Sequence, residues 1–281
     1  MRKYSNYEYN FDLIESEIKP QTDIIIIIPS YYEKDILSTL ESLLECDYYK
    51  CNVEVIIVIN QSKESPDNVS SFHHQQFSDL LLWSERNNNP KISFFPIIIT
   101  DIPPKHAGVG IARKTGMDEA YKRFSKINNL NGLIVSLDAD TIVSKNYLQT
   151  IEIEYNTDNI TKAFSIYFEH LINNKLPHKS AIIDYELHLR YYINMQRLYN
   201  LPFAFYTIGS AMAVRAFAYG ESFGMNKRQA GEDFYFLHKF IKTWYFKEIN
   251  NTAVYPSHAY RTEYLLAQEN LSIKLIKKIL N

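Results

Sequence analysis

The chain has 281 residues, of which 46% are hydrophobic and 22% charged, with a formal net charge of −2. That length holds one large domain or two small ones, and the apolar share supports a sizeable core, which excludes an intrinsically disordered chain. The near-zero net charge excludes nucleic-acid binding through a broad basic field.

After a polar lead-in, Asp23 to Ser30 carries five consecutive isoleucines and reads as a strand buried on both faces, the pattern of a parallel sheet. Glu33 to Glu45 follows as a helix with Ile36, Leu37, Leu40, Leu43 and Leu44 on one face. Val53 to Ile59 is a second strand, ending at Asn60-Gln61-Ser62. The polar stretch to Asn89, broken by Leu80-Leu81-Leu82-Trp83, reads as helix plus loop. Ile92 to Ile99 is a third strand, which Pro96 confines to a sheet edge or a bulge. Ala107 to Phe124 reads as a helix and Gly132 to Leu137 as a fourth strand. Strands alternating with helices on short links imply right-handed βαβ units, hence an α/β fold with a mostly parallel central sheet and helices on both faces.

The second half has a different texture. Ala163 to Phe168 is a candidate strand, Lys179 to Tyr199 a long helix, Phe203 to Val214 a strand-like alternation around Gly209, Glu232 to Thr243 a helix, and Thr262 to Leu280 a final segment. No repeat or low-complexity linker divides the chain, so residues 1–281 are expected to form a single domain. Cys46 and Cys51 have neither metal-ligand spacing nor a disulfide framework and are read as reduced thiols. Residues 1–6 lack the apolar core of a signal peptide, and the run Ile24 to Ile28 is too short to span a bilayer. The expected location is cytoplasmic, with peripheral attachment to the inner face of the cell membrane as an option.

The segment Leu133 to Thr141 carries the most chemical information. An apolar strand ends in Asp138-Ala139-Asp140, and in an extended backbone residues two apart project to the same side. Two carboxylates would then meet just past the carboxyl end of a strand, where ligands sit in open α/β sheets and where a hard divalent cation is held beside phosphate. Taken alone, Asp-x-Asp after a strand is more often a solvated turn or helix cap.

Four features stand in a fixed order: Ile27-Ile28-Pro29-Ser30-Tyr31-Tyr32-Glu33, then Ala107-Gly108-Val109-Gly110-Ile111-Ala112-Arg113-Lys114-Thr115-Gly116, then Asp138-Ala139-Asp140, then Gly231-Glu232-Asp233. This pattern, over roughly residues 23 to 245, resembles the family 2 glycosyltransferases of the GT-A fold. The runs Pro103 to Gly110 and Gly209 to Arg215 are similar to a bacterial surface-polysaccharide subgroup.

The resemblance implies transfer of a sugar from a nucleotide-diphosphate donor, most simply a UDP-sugar, to a hydroxyl of a saccharide or lipid-linked saccharide, with inversion. It implies a donor-binding half at about residues 23–140 and an acceptor-binding half at about 141–260. Asp138 and Asp140 would hold Mn2+ or Mg2+, with His258 a candidate third ligand. Asp233 would be the general base, a carboxylate of near-normal pKa already ionised at neutral pH, and Glu232 would orient the acceptor. Both acids would also simply favour a helix N-terminus electrostatically. Pro29, Ser30, Tyr31, Glu33, Lys105, Gly108, Gly110, Arg113 and Asp138 are the implied donor-binding residues. Gly108 and Gly110 fit a backbone that approaches a diphosphate closely. Arg113 is placed either on phosphate or on the metal-bearing carboxylates.

One departure stands out. Family members usually carry an Asp at the end of the second strand to accept from the uracil ring, and this chain has Asn60 there, whose amide oxygen can accept the same bond. Glu169, His170, His258 and Arg261 are further candidates for acceptor or diphosphate contact. The amphipathic, basic segment Leu271 to Leu280 suits either a membrane surface or ordinary packing. The competing functions are a binding module that kept the fold and lost catalysis, and a sugar nucleotidyltransferase. The latter expects a Gly-rich loop after the first strand, where this chain has Pro29-Ser30-Tyr31-Tyr32-Glu33.

Overall fold

The computed structural model describes residues 12–47, 49–172, 179–225 and 231–257. The isoleucine run forms β1 (Thr22–Ser30), which lies between β2 (Asn52–Ser62) and β4 (Leu133–Ser136) and is parallel to both. β3 (Ile92–Ile102) flanks β2 as the terminal strand, where Pro96 costs no ladder bond on its outer side. Beyond β4 the sheet continues through β7 (Met212–Arg215), β6 (Ala163–Phe168), β8 (Phe246–Pro256) and β5 (Thr141–Val143). β7 runs antiparallel to both β4 and β6, β8 is parallel to β6, and β5 is antiparallel to β8.

The alternation of the isoleucines builds two cores. Ile24, Ile26 and Ile28 join Leu40 and Leu43 of α1 (Ile36–Leu44) and Leu148 and Ile151 of α4 (Tyr147–Thr157). Ile25 and Ile27 join Ala112, Met117 and Ala120 of α3 (Val109–Lys126) and Phe236 and Leu237 of α7 (Glu232–Ile241). A β1 covered on both faces by helices has no solvent side, which is why it reads as an unbroken apolar run. α3 sits close: a Cβ at Gly116 would come 2.4 Å from Ile27 Cγ2. A buried bidentate pair, Arg123 to Glu54 at 2.6 and 2.7 Å, ties α3 to β2 as well. The other helices are α2 (Asp67–Asn87), α5 (Lys179–Leu198) and α6 (Ala216–Glu221).

The expected strands and helices of the first half are present, with edges shifted by a few residues. The second half departs more. The alternation from Phe203 to Val214 produces a strand only over Met212–Arg215, because Phe203 and Phe205 are loop residues packed partly into the second core. β5 is too short to show a period. β8 was not anticipated, since Asn250-Asn251-Thr252 interrupt it and the pairing with β6 skips from Ile249 to Val254. Residues 258–281, with His258, Arg261 and the C-terminal amphipathic segment, lie outside the described residues. Among the described residues no helix is long and apolar enough to cross a membrane. Cys46 and Cys51 are free thiols, and burial pushes the Cys46 pKa up to about 11.

Candidate active site

Because β1, β2 and β4 are parallel, their carboxyl ends share one edge, and Ser30, Asn60 and the turn after Ser136 gather there. α3 starts at that edge with Gly108 as its N-cap at φ 153°. One turn further on, Arg113 is buried, and its guanidinium spans two elements. One terminal nitrogen donates to Asp138 Oδ1 at 2.7 Å, and the other donates to Glu232 Oε1. Asp138 belongs to the turn after β4, and Glu232 is the first residue of α7. A single cation thus draws together acids 94 residues apart in sequence (232 minus 138).

Glycine at 209 leaves the space for that guanidinium, since a Cβ there would lie 2.6–2.8 Å from three of its atoms. Asp233 follows Glu232 into the buried first turn of α7, and its Oδ1 accepts from the Phe234 amide at 2.7 Å. Burial and the neighbouring Glu232 carboxylate push the Asp233 pKa up to about 7, against the pull of Arg113. The expectation of a near-normal Asp233 is therefore corrected: its carboxyl lies well above the ordinary carboxylate range. The Glu232 carboxylate is buried and accepts from Arg113.

The two aspartates also differ from expectation. Residues 138–141 form a turn in which the Thr141 amide donates to Asp138 O at 3.2 Å, so strand alternation does not set the carboxylate directions. Asp138 is partly exposed and meets Arg113, while Asp140 Oδ2 accepts from Ser257 Oγ at 2.8 Å. Among the described residues no group of three or more His, Cys, Asp or Glu forms a metal cage. The turn still fits a hard cation that keeps waters and takes substrate phosphate oxygens, which needs only one or two protein carboxylates.

Asn60 Nδ2 donates to Gly108 O at 3.1 Å, joining the end of β2 to the cap of α3, while Asn60 Oδ1 is buried with no hydrogen-bond partner among the described residues. That orphan acceptor is the atom the sequence offered to a base, but it is enclosed in this conformation. Pro29 and Ser30 are buried at the end of β1, Tyr31 is exposed, and Glu33 Oε1 accepts from the Asp35 amide. Gly110 is buried in the first turn of α3, and Lys105 is exposed on the loop before it. Glu169 accepts from Tyr167, and His170 Nδ1 meets Glu186 at 2.6 Å, with Arg190 on the other Glu186 oxygen.

Tyr185, Glu186 and Arg190 escaped the sequence reading. The signal was present as charged residues and a tyrosine within the long helix Lys179 to Tyr199. Tyr185 stands in electrostatic reach of Asp233: burial, Glu186 and Asp233 together push its phenol up to about 12.

The sequence profile of glycosyl transferase family 2 matches residues 25–219. The chain belongs to that family. No curated protein matches it. Solved structures with a similar fold include Staphylococcus aureus TarS 1–349 in complex with UDP-GlcNAc, at 15% identity and TM-score 0.52, over 83% of this chain and 58% of that one. They also include the mannosyltransferase PcManGT from Pyrobaculum calidifontis in complex with GDP-Man and Mn2+, at 15% identity and TM-score 0.50, over 86% of this chain and 59% of that one. Such likeness shows the GT-A fold, as the order of motifs implied. The chain spans under two thirds of the length of these proteins. The family match ends before Glu232 and Asp233, so the inclusion of those two acids in the site stands on the Arg113 bridge.

Proposed function

We propose that this family 2 chain is an inverting glycosyltransferase that moves a sugar from a nucleoside-diphosphate donor to a hydroxyl of a saccharide or lipid-linked saccharide. The observation that supports it most is the Arg113 bridge, which sets the Asp138 turn and the Glu232-Asp233 turn at fixed positions across one sheet edge. Residues 23–140 bind the donor, and the later part of the chain shapes the acceptor side.

A divalent cation, Mn2+ or Mg2+, would be held by Asp138 and Asp140 and would offset the charge on the departing diphosphate. In the reaction the acceptor oxygen bonds to the anomeric carbon as the carbon–oxygen bond to the diphosphate breaks. Asp233, ionised, takes the acceptor's proton. Arg113 keeps Asp138 in place and stabilises negative charge near the diphosphate, and Glu232 keeps Arg113 in place. One displacement by one base inverts the anomeric centre. UDP- and GDP-sugars are the first donors to try, because TarS was captured with UDP-GlcNAc and PcManGT with GDP-Man.

The test is a panel of UDP- and GDP-sugars with Mn2+, with release of free nucleotide as the readout, on wild type and Asp138→Ala. Turnover of at least one donor, lost in the variant, with NMR of the product showing the inverted anomer, is the expected result. Sugar-nucleotide binding without turnover across the panel would make this a binding module, and a retained anomer would overturn the single displacement.

A further inference from the structure

The inner stripe of α2 has an unexpected composition. Its buried residues are His73, Gln76, Leu80 and Ser84, one helical face in which the two residues nearest the catalytic edge are polar. Buried polar groups persist where they are hydrogen-bonded for a purpose that apolar packing does not serve. His73, with no solvent exposure, accepts the Tyr32 amide N–H on Nε2 at 3.0 Å. Its Nδ1 therefore carries the proton and donates to Gln61 Oε1 at 3.2 Å, and Gln61 Nε2 donates to Ser70 Oγ at 2.9 Å. One turn along, Gln76 accepts from Ser30 Oγ at 3.4 Å, and its amide donates to Glu33 O.

These bonds fall on one short loop, residues 30–33, at the exit of β1. Tyr32 adopts φ 51°, a left-handed conformation that a bulky L-residue rarely takes. Strain of that kind persists only where the surroundings over-determine it. Tyr31 and Tyr32 are both exposed at the sheet edge, and the Tyr31 ring stands edge-on to the His73 ring at 5.3 Å. His73 thus links the β1 exit loop to Gln61, the neighbour of Asn60, across the ends of β1 and β2.

We infer that His73 and Gln76 are positioning residues for the nucleotide end of the donor site: they lock the β1 exit loop, with Tyr31 and Tyr32, in its nucleotide-binding shape. This rests on the donor-binding reading of that edge. Neither residue touches substrate; both act through the loop backbone. Burial, with His74 beside it, keeps the His73 pKa below its ordinary value, so the ring stays neutral and Nε2 stays an acceptor.

The experiment measures binding of UDP and of GDP with Mn2+ by calorimetry, and donor KM and kcat, for wild type, His73→Leu and His73→Gln. Losing a buried hydrogen bond that orders the loop is expected to weaken nucleotide binding and raise donor KM about tenfold, with kcat nearly unchanged. His73→Gln, which can both accept and donate, should recover most of the affinity. Gln76→Leu carries the same test should His73→Leu fail to fold. Unaltered nucleotide binding in the variants, a fall in kcat with KM unchanged, or no rescue by glutamine would overturn the inference. A wild type that binds neither nucleotide would overturn the donor-site reading itself, and the inference with it.

Discussion

Gly209 lies against the guanidinium of Arg113 so closely that a methyl group at that position would sit 2.6 Å from one of its terminal nitrogens. The obstructed atoms are the far end of a long side chain, so Gly209→Ala would push Arg113 aside without breaking the sheet. The same displacement strips Asp138 and Glu232 of their shared cation. We expect Gly209→Ala to lower kcat/KM by about tenfold to a hundredfold, roughly 1.4–2.7 kcal/mol of transition-state stabilisation, together with a lower melting temperature, because Glu232 is left buried without its cation. Paired activity and thermal-unfolding measurements check this, and equal activity would show that Arg113 is not needed where it stands.

The Arg113–Glu232 pair should show the asymmetry of buried ion pairs. Arg113→Met leaves the Glu232 carboxylate buried without its cation, and removal of one partner of such a pair costs about 3–5 kcal/mol. Adding Glu232→Gln to that variant removes the stranded charge and should restore much of the stability. A double-mutant cycle by chemical denaturation measures the coupling. Additive effects would mean that the bridge does not organise α3 and α7.

Much of the first half was legible because its physics is local. Five isoleucines covered on both sides leave no alternation, so β1 could only be a buried parallel strand, and the acids after β4 marked the edge. The second half resisted for physical reasons. β8 changes register at its Asn-Asn-Thr interruption, and the Phe203 to Ala211 loop mimics a strand because its aromatics reach the core. The pairing of Glu232 with Arg113 was not legible because its partner lies on α3, 119 residues earlier (232 minus 113). Short-range pattern carries no information on such a pairing. The Asp233 pKa was missed for the same reason: it depends on burial and on like charge at close range, which only the folded chain creates.

Metal dependence follows from the chemistry of the Asp138 turn. Two carboxylates without a closed cage should bind a cation weakly until the diphosphate adds its own oxygens. Chelation with EDTA is therefore expected to abolish turnover, Mn2+ or Mg2+ to restore it, and UDP to tighten Mn2+ binding. Asp138→Asn keeps the size of the side chain but loses its charge, and should reduce kcat/KM by about a hundredfold. Titration of Mn2+ against the variant, with and without UDP, is the check. Full activity in EDTA would remove the cation from the mechanism.

The Asp233 carboxyl, raised from 3.8 to about 7, makes a prediction on rate and another on stability, with opposite signs. Only the ionised form accepts a proton, so kcat/KM should rise with pH through a limb near 7, well above an ordinary carboxylate. Stability moves the other way. Between pH 3.8 and about 7 the folded chain holds a proton on Asp233 that the unfolded chain has released. The contribution to stability is thus present in full below the unfolded value and is lost as pH rises through the folded one. Asp233→Asn removes this penalty together with the base. The variant should be inactive, yet at pH 8 it should melt at a higher temperature than wild type. Below pH 4 the two should melt together. A variant less stable than wild type at pH 8, or a rate limb near pH 4, would show that Asp233 is not the strained, half-ionised acid this site makes of it.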